Sequence, residues 1–239
     1  PKNIDDNFSK SVYKEYIEAL DPAKRFFLAS DIEEFKKYEL EIDDQINNKD
    51  LTFFNLTYNR LMERMQESKS FYKDLLAKPF NYDENETFDT DYEKMPYANS
   101  ISALKDRWRK QIKLGTLSSL TDKLKLEEDK AKADANYKAK SYADLEKETR
   151  ESSEKSLDDY FSFVKDLNRE DWFAIFVNSI AEGFDPHTNY FAPEDKDKFD
   201  LSISGTLEGI GARLQKKNDF TEITELISGG PAWRDKQLE

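Results

Sequence analysis

Apolar residues recur with helical spacing through most of the first 182 residues of the chain. The pattern predicts a first helix from about Phe8 to Leu20, which ends at Asp21-Pro22 because the residue before a proline avoids the helical region. A second helix starts at the capping box Ser30-Asp31-Ile32-Glu33. A third runs from about Leu51 to Leu76. The sequence therefore predicts a mainly α-helical N-terminal region.

The pattern changes between residues 80 and 155. Residues 80–96 are acidic and aromatic without a helical period, which predicts a surface loop whose aromatic side chains pack on the helices. A further helix is expected from Tyr97 to about Lys130, with Gly115 as a candidate kink or break. Residues 123–155 are mostly charged residues and alanine, and two interpretations stay open: a solvated helical hairpin with Glu/Lys pairs, or a disordered linker.

The densest apolar stripe of the chain lies just before residue 183. Asn168 is placed to cap a helix over Arg169–Glu182. We expect this helix to form the core of the helical region. Gly183 stands where a left-handed residue often closes a helix. The stripe consists of Trp172, Phe173, Phe176, Val177 and Ile180.

Six of the seven glycines fall within residues 183–231, so turns and close backbone approaches are concentrated there. Apolar and polar residues alternate from Ile210 to Leu214. Asn218-Asp219 is a turn signal, and Phe220–Ile227 is typical of the return strand of a hairpin. Pro231 suits the first turn of a short helix.

The Gly-x-Gly of Gly209 and Gly211 has two interpretations. Such a loop can aim successive backbone N–H groups at the terminal carboxylate of a peptide that pairs with the following strand. It can also be a glycine bulge that only turns the chain. The spacing of the two glycines does not separate these interpretations.

Composition excludes several functional classes. The chain has 37 basic and 50 acidic residues, a net charge of −13, which argues against a nucleic-acid surface and against docking on an anionic membrane. It contains no cysteine, so disulfides, thiol catalysis and thiolate metal sites are excluded. No apolar run approaches the roughly 18 to 20 residues of a membrane span.

Candidate catalytic chemistry is sparse. His187 is the single histidine, it lies in a Pro-His-Thr turn, and no Gly-x-Ser-x-Gly elbow accompanies it, so a packing or hydrogen-bonding role is favoured over catalysis. A lone histidine makes a poor zinc site, and Asp89 and Asp91 lack the spacing of a calcium loop. We expect no cofactor and no metal. The remaining protease chemistry is a serine activated by a buried lysine, and no serine or lysine is singled out by its context.

Several motifs resemble the tail-specific proteases, also called carboxyl-terminal processing peptidases. They are DPHTNYFAP at 185–193, LEGIGARL at 207–214 and ISGGPA at 227–232, with LDPAKRFFLASDIEEF at 20–35 resembling the start of the helical domain of the larger members. The resemblance implies a multi-helix domain over residues 1–185, a connector over 186–200, and the first part of a PDZ domain, a partial α/β segment, over 201–239. The chain would then stop inside a domain.

The resemblance also implies a function: the N-terminal region of a periplasmic serine endopeptidase whose catalytic Ser-Lys pair lies beyond Glu239, so that this chain alone is inert. Capture of a substrate's terminal carboxylate falls to the backbone of Gly209, Ile210, Gly211 and Ala212. Peptide pairing falls to the strand from Ala212 to Gln215, which includes Arg213 and Leu214. The implied partners are proteins with exposed C-termini and an adaptor lipoprotein that docks on the helical domain.

Two other hypotheses remain. One is a non-catalytic helical scaffold that ends in a small β element and binds a partner. The other is a hydrolase that uses a pair of carboxylates. If the PDZ segment is truncated, its open strand edges also predict a strand-paired or domain-swapped dimer of the fragment.

Overall fold

The computed structural model describes residues 3–193, 196, 199–200, 203, 209–217 and 220–236. The chain divides into two compact units, Pro1–Tyr190 and Phe191–Glu239. The first unit is helical, and the described part of the second contains a two-stranded antiparallel sheet and a short helix. The predicted fold class, mainly α, is confirmed.

The first unit is built from helices joined by loops. None of the helices in the part of the chain that the structure describes is long and apolar enough to cross a membrane. In chain order the helices are α1 (Asp6–Leu20), α2 (Ala29–Phe35), α3 (Ile42–Asn48), α4 (Thr52–Ser68), α5 (Phe71–Leu76), α6 (Ile101–Ala133), α7 (Tyr142–Asp166) and α8 (Arg169–Phe184), and a 3-10 turn over Lys36–Tyr38 follows α2.

Helix α8 lies at the centre of the core, as its apolar stripe predicts. Its Phe176 ring packs edge-on against Tyr16 of α1, with 4.9 Å between ring centroids. The same ring contacts Phe53 and Phe54 of α4 at 6.2 and 5.9 Å. The predicted cap is also confirmed, because the Asn168 side chain accepts a hydrogen bond from the backbone N–H of the third helical residue. Aromatic pairs with this geometry add to the stabilisation from area burial.

Gly183 does not close the helix as predicted. It lies inside α8, which continues to Phe184. A Cβ at this position would meet Cε2 of Phe8 at 2.8 Å and Cζ of the same ring at 3.3 Å. The glycine is therefore needed for close packing against α1, and a left-handed backbone is not the reason for it.

The second and third helices also differ from the prediction. Helix α2 begins at Ala29, because Asp31 accepts the backbone N–H of Leu28 at 2.9 Å. The stretch from Leu51 to Leu76 forms two helices, α4 and α5. The Ser70 hydroxyl donates to the Glu67 carbonyl at 3.0 Å where the first of them ends, and such a local bond competes with helix continuation.

A buried carboxylate joins α2 to α4. The Asp31 side chain is fully buried and forms ion pairs with Arg60 and Arg64, the latter at 2.8 Å. Although burial opposes the ionised form, the two guanidinium groups and the Leu28 N–H lower the pKa of Asp31. The pairing satisfies a charge that would otherwise be costly to bury.

Residues 123–155 are ordered as a helical hairpin, so the linker interpretation is wrong. Helix α6 runs unbroken through Gly115 to Ala133, and α7 begins at Tyr142. Glu127 is buried and fixes the connecting loop: it accepts the Lys140 backbone N–H at 2.9 Å and the Tyr137 hydroxyl at 2.8 Å. The loop between α6 and α7 is thus held by hydrogen bonds to a buried carboxylate, in addition to the surface Glu/Lys pairs of the hairpin.

The acidic segment 80–96 is a loop packed on the helices, as predicted. The Tyr82 hydroxyl donates to the Thr116 hydroxyl on α6 at 3.0 Å. Glu86 pairs with Arg109 and Lys113 of the same helix at 2.6 and 2.5 Å. These hydrogen bonds, from Arg109 first and then Lys113, lower the pKa of Glu86 to about 2.

The second unit contains the predicted hairpin. Strands β1 (Ala212–Lys217) and β2 (Phe220–Leu226) pair in antiparallel register, Ala212 opposite Leu226, with an irregularity between Arg213 and Leu214. The predicted turn at 218–219 lies outside the described residues. Helix α9 (Pro231–Asp235) follows, with its proline in the first turn as predicted.

Candidate peptide-binding loop

The Gly-x-Gly segment leads directly into β1, and its two glycines differ. Gly211 has a φ of +74°, which a residue with a side chain rarely adopts. A Cβ there would also meet the Cα of Gly230 at 2.9 Å. Gly209 has no positive φ, and a Cβ on it would meet nothing within 4 Å. The fold therefore requires a glycine at 211 and not at 209.

The loop is tied to the segment that precedes α9. The backbone N–H of Ile227 donates to the Gly211 carbonyl at 2.8 Å, and that of Ala232 donates to the Ile210 carbonyl at 2.9 Å. The two motifs at 207–214 and 227–232 thus meet through their backbones. Sequence reasoning noted both motifs but missed the contact between Gly211 and Gly230, for which the Gly-Gly pair at 229–230 was the available signal.

These two bonds fix the direction of the neighbouring N–H groups. In a trans peptide the N–H points opposite to the carbonyl of the preceding residue. Because the carbonyls of Ile210 and Gly211 face residues 227–232, the N–H groups of Gly211 and Ala212 point away from that segment. Among the described residues, nothing accepts a hydrogen bond from the Gly211 N–H. Two successive N–H groups with this orientation are an arrangement that can bind an anion.

The other predicted site residues lie along the hairpin. Within the described ranges, β1 pairs with β2 alone. Arg213 forms an exposed ion pair with Glu225 at 2.9 Å. Ile210 and Leu214 are 57% and 55% exposed, so both are available to an apolar side chain of a ligand or to another part of the protein. Peptide pairing along β1 stays a prediction.

His187 lies in a turn, as predicted. The Asp185 carboxylate accepts the backbone N–H of His187 and the hydroxyl of Thr188, both at 3.1 Å. The turn is held to α8 by Asn178, whose side chain accepts the Tyr190 N–H at 2.6 Å. These contacts are those of a structural turn. In the described part of the chain, no group of three His, Cys, Asp or Glu side chains is arranged to hold a metal ion.

Asp21, like Asp31 and Glu127, is a buried carboxylate with a structural role. It is 1% exposed, and it accepts the backbone N–H groups of Arg25, Phe26 and Phe27 at 2.8, 3.0 and 2.9 Å. Burial raises the pKa of Asp21 in spite of these bonds. The side chain organises the turn after α1 within the motif at 20–35.

Comparison with known proteins agrees with the motifs. The family model described as "Tail specific protease N-terminal domain" matches residues 1–194. The chain is 30% identical over 236 residues to a protein of Haemophilus influenzae named "Tail-specific protease", and the match covers 98% of this chain and 31% of that relative. It is also 42% identical over 55 residues to a "Probable CtpA-like serine protease" of Staphylococcus aureus, which covers 23% of this chain and 11% of the relative.

The chain thus spans under a third of the length of the Haemophilus influenzae protein. The resemblance first seen in four short motifs is confirmed over nearly all of the chain. The chain belongs to the tail-specific protease family, and residues 1–194 match that family's N-terminal domain.

Proposed function

We propose that this chain is the N-terminal region of a periplasmic carboxyl-terminal processing serine endopeptidase, and that its loop at Gly209–Ala212 receives the C-terminal carboxylate of protein substrates. In this proposal the N–H groups of Gly211 and Ala212 donate to the carboxylate. The substrate's last residues then extend β1 as an added strand along Ala212–Gln215.

One observation carries this proposal: the Ile210 carbonyl accepts the Ala232 N–H and the Gly211 carbonyl accepts the Ile227 N–H, so the N–H groups of Gly211 and Ala212 point away from that segment. A carboxylate held by backbone N–H groups is recognised whatever side chains precede it. Such recognition is suited to an enzyme that acts on many proteins with exposed C-termini. The exposed Ile210 and Leu214 offer an apolar surface for the terminal side chain.

Cleavage belongs, in this proposal, to a Ser-Lys pair in a later domain of the longer protein. A lysine can remove a proton from serine at neutral pH only when burial or neighbouring charges lower its pKa. The part described here would deliver the substrate's tail and leave the chemistry to that domain.

The test is cleavage of a substrate with an exposed apolar tail by the full-length protein carrying Gly209→Val. Space at Gly209 is open, so the variant should fold while its side chain obstructs the loop. We expect tail-dependent cleavage to fall at least tenfold. Gly211→Val is unsuitable, because it would collide with Gly230 and destroy the hairpin together with the loop.

The control is Thr221→Val, which places a valine on the exposed strand β2 without adding side-chain volume. It should leave cleavage unchanged. If Gly209→Val cleaves the tailed substrate as fast as this control, the assignment of the carboxylate loop is wrong.

A further inference from the structure

A cleft lies between α6 and α7, in the helical unit and separate from the loop at Gly209–Ala212. Its volume is about 370 Å³. Gly115 and Ser119 line it from α6, Ser153 and Ser156 line it from α7, and the Arg25 side chain also borders it. None of the residues proposed to bind the substrate's tail lines this cleft.

Arg25 has no protein acceptor in this cleft. Its guanidinium carbon lies 4.7 Å from the centre of the Tyr160 ring and 5.2 Å from that of Trp108. The contacts with these rings fix its position. Among the residues that the structure describes, its side chain forms no hydrogen bond and no ion pair. The nearby carboxylate of Asp21 attracts the Arg25 charge, but its oxygens accept from three backbone N–H groups and none of them bonds to the guanidinium. Arg25 therefore presents unsatisfied donors, and guanidinium donors match a carboxylate in a bidentate fashion.

Gly115 is a second unexplained feature of the same cleft. A glycine within a helix is unfavourable, because it loses more backbone entropy than any other residue. Packing does not require it here, since a Cβ would meet nothing within 4 Å and its φ is not positive. Its lack of a side chain keeps the cleft open and lets a ligand approach the backbone of α6.

The serines add polar contacts suited to a peptide. The hydroxyls of Ser152 and Ser156 donate to carbonyls of their own helix, at 2.7 and 3.0 Å, and so leave oxygen lone pairs for the N–H groups of a ligand. The described contacts of Ser119 and Ser153 include no hydrogen bond from their hydroxyls, which remain able to donate.

We propose that this cleft binds an acidic side chain, Asp or Glu, presented by a peptide segment of a partner protein. A monocarboxylate fits the charge of this cleft, because Arg25 is the one charged residue among the described residues that line it and one guanidinium balances one negative charge, whereas a phosphate group carries close to two. The carboxylate pairs with Arg25, and the adjoining peptide backbone lies along Gly115 and the serine hydroxyls.

The test uses the 239-residue chain labelled with ¹⁵N. The Trp108 indole N–H is a built-in reporter, because it donates to the Arg25 carbonyl at 2.7 Å and its ring contacts the guanidinium. The probe is an alanine–serine heptapeptide with one central glutamate, acetylated and amidated so that it has no free terminus for the tail-binding loop. The comparison peptide carries glutamine instead.

We expect the glutamate peptide to shift the Trp108 resonance with saturation, and the glutamine peptide to bind at least tenfold more weakly. The resonance of Trp172, outside the cleft, should not move. Gly115→Leu should fill the cleft while Arg25 remains. It should weaken binding at least tenfold and leave the thermal midpoint no lower than that of the parent chain. Arg25→Met should lose the preference for glutamate over glutamine.

Three results would overturn the proposal. One is equal shifts by the two peptides, and another is undiminished binding to the Gly115→Leu variant. The third is a Trp108 shift caused by inorganic phosphate but not by the glutamate peptide at millimolar concentration, which would make the cleft a general anion site.

Discussion

Two glycine-to-alanine substitutions, at Gly183 in α8 and Gly115 in α6, should change stability in different ways. Alanine in a helix is favoured over glycine by about 1 kcal/mol. At Gly115 nothing opposes this gain, because a Cβ would meet nothing within 4 Å. At Gly183 the new Cβ would lie 2.8 Å from a ring carbon of Phe8, which is buried and packs on Phe184 with 4.7 Å between ring centroids.

The magnitude follows from these contacts. To restore ordinary contact, Phe8 must move until the 2.8 Å distance reaches at least 3.4 Å, and Val12 already lies at 3.4 Å from the same Cβ. Overpacking of this kind costs about 1–3 kcal/mol. After the helical gain, Gly183→Ala should change the free energy of unfolding by between about 0 and −2 kcal/mol, whereas Gly115→Ala should raise it by up to about 1 kcal/mol.

Urea denaturation of this chain, followed by far-UV circular dichroism, measures both values. The Gly183→Ala variant should unfold at a lower urea concentration than the Gly115→Ala variant, with similar slopes. If the two variants are equally stabilised, the close packing of α8 on α1 is not the reason for Gly183.

Two further predictions concern buried carboxylates. Asp31→Asn leaves Arg60 and Arg64 without their shared buried partner and should lower the free energy of unfolding by about 2–4 kcal/mol in the same assay. The loss is limited because both arginines keep exposed acidic neighbours. An unchanged urea midpoint would contradict this prediction. The Lys140 N–H, with Lys130 and Tyr137, lowers the pKa of Glu127 to about 2. The stabilisation that the ionised Glu127 gives to the folded chain is therefore fully present above about pH 4.5 and is lost as pH falls towards 2. Hydrogen exchange at the Lys140 amide, referred to its intrinsic rate at each pH, should lose protection over that range in the parent chain and show no such loss in Glu127→Gln.

Local signals made much of the helical unit predictable. Asn168 and its apolar stripe lie within one helix, so the cap and the buried face of α8 could be read from neighbouring residues. The role of Gly183 could not be predicted in this way, because the side chain that requires a glycine there is Phe8, which is distant in sequence. Likewise the predicted capping box assigned the local bonds to Ser30 and Glu33, whereas Asp31 accepts the Leu28 N–H and its charge is satisfied by arginines of α4.

The role of the candidate loop also depends on contacts between residues that are distant in sequence. The Gly-x-Gly pattern indicated a turn or a carboxylate-binding loop, and both interpretations depend on where the N–H groups point. That direction is set by hydrogen bonds from Ile227 and Ala232, which sequence spacing does not reveal. The structure also separates the two glycines: Gly211 is required by its φ and by Gly230, whereas Gly209 is free of both constraints.

The central claim is that this family member recognises the terminal carboxylate of its substrates through the loop at Gly209–Ala212. The most direct measurement is fluorescence anisotropy of the full-length protein with two labelled peptides of one apolar sequence, one with a free C-terminal carboxylate and one amidated. The account predicts at least tenfold tighter binding of the free acid, and loss of that difference in Gly209→Val. Equal binding of the acid and the amide by the unaltered protein would contradict it.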